Sequence, residues 1–75
     1  MYTITILEKS KKTLRTYQHI SKITYSDLLD DVVLEGECIL THSFPTNMDL
    51  HFYSATGNYT ISGDIIGTIE IEKEF

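Results

Sequence analysis

The sequence predicts an all-β domain: a small antiparallel barrel or curled sheet of five or six strands. Three observations carry this. Apolar and polar residues alternate with period two over several short segments, as in half-buried strands. Turn residues interrupt those segments at short intervals. Finally, the stretch from Leu50 to Ser62 reads as two strands folded back on each other at Gly57-Asn58.

The first segment, Tyr2 to Glu8, places Tyr2, Ile4 and Ile6 on one side and Thr3, Thr5 and Leu7 on the other. Its β-branched residues favour a strand. Glu8 to Lys12 is a polar connection, short enough to join antiparallel neighbours. From Thr13 to Tyr25 the apolar residues Leu14, Tyr17, Ile20 and Ile23 recur at spacing three, a helical trait. Yet Thr, Tyr and Ile dominate, and Ala, Glu and Met are missing. The segment therefore reads as a long strand that changes face near His19-Ile20-Ser21, with a bulge bending it around a corner.

Ser26 to Asp31 has two readings, one turn of helix capped by Ser26 or Asp27 with Leu28 and Leu29 folded inward, or an acidic loop. Val32 to His42 reads as a strand kinked at Gly36. Ser43 to Asp49, with Pro45, is a connection. In the central hairpin a Gly57-Asn58 loop sets Thr56 opposite Tyr59 and Ser54 opposite Ile61. Phe52 and Tyr59 then share a face, and Tyr53 lies on the other. A three-residue loop over Ala55-Thr56-Gly57 is the rival, pairing Tyr53 with Tyr59. Ser62 to Asp64 is a turn. In the last strand, Ile65 to Glu72, Ile69 and Ile71 face in while Thr68, Glu70 and Glu72 face out.

These strands make one SH3-like or related unit over residues 1–75. A chain this short buries roughly 60% of the surface its unfolded form exposes, leaving a thin core. Association is one way to bury more, so the chain is expected to form a homodimer or bind a protein partner. Tyr53 and Tyr17 are the candidate interface residues. No export core and no run of about 18 apolar residues occurs, so a cytoplasmic, non-membrane protein is expected.

The net charge of −5 conceals an asymmetry: residues 1–25 balance to +4, and residues 26–75 to −9. Lys9, Lys11, Lys12, Arg15 and Lys22 could contact phosphates while Tyr17 stacks on a base, the footprint of a weak nucleic-acid binder. The ordinary reading is a hairpin tip kept soluble by lysine. The acidic residues could instead mimic nucleic acid toward a basic partner.

No catalytic, cofactor or metal site is predicted. His42, Asp49 and His51 could approach one another as metal ligands, but histidines at strand ends are ordinarily surface residues. The single Cys38 lies in an apolar segment and reads as a buried thiol. Alternating Glu70, Glu72 and Glu74 read as a solvated strand face. No phosphate-binding loop, dinucleotide fingerprint or serine elbow is present. The expectation is a non-enzymatic interaction or accessory protein.

The segments Thr16-Tyr17, Ile20 to Tyr25, Leu40-Thr41-His42, Leu50 to Ser62 and Ile69-Glu70-Ile71 resemble short uncharacterised phage and prophage proteins of Gram-positive bacteria. The resemblance implies an accessory factor without enzymatic activity, and it carries over no site residue.

Overall fold

A computed structural model describes all residues, 1–75. The chain is mainly β, with strands β1 (Tyr2–Glu8), β2 (Leu14–Ile20), β3 (Lys22–Ser26), β4 (Asp31–Glu35), β5 (Leu50–Ser54), β6 (Gly57–Ile61) and β7 (Ile66–Lys73). A short helix, α1 (Cys38–Thr41), follows β4, and a 3-10 turn over Gly63–Ile65 precedes β7. Two antiparallel sheets result, ordered β2-β1-β7 and β4-β3-β5-β6. They curl toward each other without closing into a barrel, and the strands number seven rather than five or six. No helix is long and apolar enough to cross a membrane.

The core lies between the sheets. Tyr2, Ile4, Ile6, Ile20 and Ile66 come from the first sheet; Ile23, Tyr25, Leu34, Leu50, Phe52 and Ile61 come from the second; Ile39 of α1 plugs the gap. Period-two alternation places these side chains, because successive residues of a strand point to opposite faces.

The helical spacing of Tyr17, Ile20 and Ile23 has a β explanation. Ile4 pairs with Tyr17 but Tyr2 pairs with Ile20, so β2 carries one extra residue there. His19 sits at that bulge with φ +60°. The bulge returns both Tyr17 and Ile20 to the inner face. Ser21 then carries the chain from one sheet to the other, and Ile23 enters the core from the second sheet. A similar irregularity at β7, where Leu7 pairs with Thr68 but Glu8 with Ile66, lets Ile66 and Ile69 both face in.

One open choice is decided and three expectations need correction. Residues 26–31 are the acidic loop and form no helical turn. They are a hairpin end closed by the Asp27 N–H donating to the Asp30 carbonyl at 2.8 Å, and Leu28 and Leu29 point outward, each 94% exposed. The third strand stops at Glu35, because Gly36 takes φ +60° and turns the chain into α1. Cys38, in α1, is exposed rather than buried.

The central hairpin turns at Ala55-Thr56, not at Gly57-Asn58 or over three residues. Ser54 pairs with Gly57 and Phe52 with Tyr59. Gly57 has no positive φ, and neither do Ala55 and Thr56, so the turn is not of the mirror-image type. The Ser54 hydroxyl holds it instead, donating to the Gly57 carbonyl at 3.0 Å and accepting from Thr56 N at 3.4 Å.

Candidate protein-interaction site

The curl of the two sheets is asymmetric. On one side Tyr17 bridges them, its ring 5.3 Å from Phe52 and 5.1 Å from Tyr59. On the other side β7 and β4 do not pair, and α1 with the segment after it spans the space. There a groove of about 440 Å³ opens, its apolar lining supplied by Ile39, Leu40, Phe44, Ile69 and Ile71.

Local sequence builds each wall. The left-handed Gly36 starts α1, which drives Ile39 fully into the core and leaves Leu40 part-exposed on the rim. After α1, His42 resumes extended backbone and its Nε2 meets the Tyr25 hydroxyl at 2.6 Å. Phe44 packs edge-on against both rings, 6.4 Å from Tyr25 and 5.0 Å from His42. This cluster holds one wall. The opposite wall is the inner face of β7. Lys73 reaches across from β7 to Glu37, just before α1, at 2.7 Å.

The outer edge of β7 is free. Its only strand neighbour is β1, and no hydrogen bond reaches it from α1 or the 42–49 segment. Antiparallel ladders alternate between hydrogen-bonded and non-hydrogen-bonded pairs. The Glu74 N–H donates to the Met1 carbonyl at 2.9 Å, so Glu72, Glu70 and Thr68 also turn their backbone groups toward β1. Ile71 and Ile69 must then direct N–H and C=O away from β1, toward solvent. The two residues that line the groove with their side chains also offer unpaired backbone groups beside it.

On the outer face of this sheet, Glu70 and Glu72 stand opposite Thr5 and Thr3 of β1. Neither carboxylate joins an ion pair; the three in the structure are Arg15–Glu8, His19–Glu74 and Lys73–Glu37. The edge is therefore apolar inside and acidic outside.

The residues singled out from sequence are dispersed. Lys9, Lys11 and Lys12 lie in the β1–β2 connection, where Lys11 takes φ 59°. Arg15 is bound to Glu8 at 2.7 Å, and that hydrogen bond, ahead of any other influence, raises its pKa further. Lys22 opens β3 in the other sheet, with its ammonium 4.6 Å from the centre of the Tyr53 ring. The seven residues of β2 separate it from the lysine tip, roughly 20 Å of strand. Tyr53 is half-buried on the outer face of the second sheet, its hydroxyl 3.5 Å from Thr24 Oγ1. Tyr17 lies on the inner side, against Phe52, so the two tyrosines share no surface.

His42, Asp49 and His51 do not meet. His42 contacts Tyr25, Asp49 Oδ1 accepts from Gly63 N at 2.8 Å, and His51 Nδ1 is 2.9 Å from Thr60 Oγ1. No group of three or more His, Cys, Asp or Glu side chains is placed to hold a metal ion. Leu40 and Phe44 were not visible from sequence as wall residues, because Leu40 read as part of a strand and Phe44 as part of a connection. The inward Ile69 and Ile71 and the outward Glu70 and Glu72 were.

No family model matches this chain, and neither a curated protein nor a solved structure matches it.

Proposed function

We propose that this chain is a non-enzymatic interaction domain that captures an extended segment of another protein along the free edge of β7. One coincidence carries the reading. Ile69 and Ile71 present unpaired backbone groups to solvent and apolar side chains to the groove. Strand addition uses both: main-chain hydrogen bonds supply affinity, and pockets for alternate side chains supply specificity. The one titratable side chain in the groove wall is His42, and Tyr25 already engages it. The groove thus offers apolar area to cover.

A second copy fits this edge poorly. Antiparallel β7-to-β7 pairing brings the carboxylates of Glu70 and Glu72 against those of the other copy, and like charges across strands repel. A different chain is the better occupant, as suits an accessory protein.

Amide hydrogen exchange tests the reading. The probes are three capped eight-residue peptides in which valine alternates with lysine, threonine or glutamate. Binding by any of them protects the amides of Ile69 and Ile71, while those of Glu70 and Glu72 are protected from the start. If none of the three slows exchange along β7, edge capture is wrong.

A further inference from the structure

We infer that the segment captured at β7 alternates apolar with basic side chains. This rests on the edge-capture reading and adds the chemistry of the occupant.

The argument begins with which β7 residues would face a new strand closely. Ile69 and Ile71 point their backbone groups outward, so they would form the hydrogen-bonded pairs with an added antiparallel strand. Glu70 and Glu72 would then occupy the non-hydrogen-bonded positions. Side chains come nearest in such pairs, with Cα atoms about 4.5 Å apart. The charge of the residue opposite each glutamate therefore matters most at this edge.

Both glutamates await a cation. On β1 their neighbours Thr5 and Thr3 are neutral. Glu74, next in the series, is taken by His19 and Thr3, and Lys73 turns to the inner face to meet Glu37. An incoming strand with Lys or Arg opposite Glu70 and Glu72 would complete two cross-strand charge pairs. Its alternate residues would point inward over Ile69, Ile71, Leu40 and Phe44, where an aliphatic side chain buries area and a charge would be desolvated. Alternation in the occupant thus mirrors alternation in β7.

The competing account makes the glutamates guards against aggregation, since charges on an edge strand discourage pairing with any chain. The two accounts differ in what they exclude. Guards disfavour every strand alike; a selective edge ranks basic strands above neutral ones and neutral ones above acidic ones.

The three alternating peptides separate these outcomes. The lysine peptide should bind about tenfold tighter than the glutamate peptide, the order expected for two cross-strand charge pairs, with the threonine peptide between them. The difference should narrow as salt rises. In the double variant Glu70→Lys, Glu72→Lys, whose changes lie on the exposed face and leave the groove intact, the ranking should reverse. Binding of all three peptides at β7 with equal affinity would overturn the inference while leaving edge capture standing. An unreversed ranking in the double variant would also overturn it. Failure of every peptide to bind removes edge capture itself, and the inference with it.

Discussion

Glu74 grips His19 across a separation of 55 residues. Its Oε2 accepts the His19 backbone N–H at 2.8 Å, and its Oε1 lies 2.9 Å from His19 Nδ1. Oε2 also accepts from the Thr3 hydroxyl at 2.7 Å. His19 is the bulged residue of β2 with φ +60°, a conformation that non-glycine residues rarely adopt. The end of the chain therefore holds the corner at which the first sheet gives way to the second.

This grip predicts a pH dependence. The His19 N–H first, and then the Thr3 hydroxyl, pull the Glu74 carboxyl from 4.5 down to about 2. A carboxylate with a depressed folded pKa stabilises the fold fully above its unfolded pKa, and loses that contribution as pH falls through the folded one. Wild type should therefore melt higher than Glu74→Gln at neutral pH. The gap should close as pH falls from 4.5 toward about 2. Thermal melts over that range check it; a constant gap would assign the grip no role.

Substitutions at Gly57 and Gly63 should differ sharply in cost. A Cβ on Gly57 meets nothing within 4 Å, and its φ is not positive, so Gly57→Val should leave the melting temperature nearly unchanged. A Cβ on Gly63 would sit 2.5 Å from Met48 N, against backbone that cannot swing away. Gly63→Ala should cost on the order of 2–4 kcal/mol, in the range of other severe steric changes. Denaturant unfolding of both variants decides the order.

Leucines should divide by position and not by type. Leu28 and Leu29 are each 94% exposed, and their replacement by serine should leave denaturant midpoints unchanged. Leu50 is fully buried, so Leu50→Ala should cost about 2–5 kcal/mol. Against a total stability of roughly 4–11 kcal/mol for a chain of this length, that is a large share. Equal effects at the two places would show that the hairpin end packs against something in solution.

Dialysis against EDTA should leave the melting temperature where it was. His42, Asp49 and His51 each already have a separate partner in Tyr25, Gly63 and Thr60. A fall in melting temperature after chelation would mean that these side chains rearrange around a metal.

What could be read from residues alone was which way side chains point. Tyr2, Ile4 and Ile6 were grouped on one face, and Ile69 and Ile71 were assigned inward, because alternation is a property of the strand backbone itself; that the first group is the buried one came from the structure. The hairpin illustrates where that stops. Its pairing differs by four residues from the register expected for a Gly57-Asn58 loop: Phe52, not Thr56, faces Tyr59. Four is even, so Phe52, Tyr59 and Ile61 stayed on one face although the turn moved. The turn moved because the Ser54 hydroxyl closes Ala55-Thr56, and because Phe52 opposite Tyr59 brings both rings against Tyr17. The latter contact depends on a strand some forty residues away.

The same division runs through the candidate site. Local sequence determined that β7 is apolar on one face and acidic on the other. Tertiary structure alone decided that β7 pairs with β1 from the far end of the chain and has no second neighbour, and that residues 38–41 coil into a helix once Gly36 has turned. Side-chain direction follows from the period of a single strand. Strand order, free edges and the groove beside them follow from which distant surfaces bury the most apolar area together, and that is a property of the whole chain.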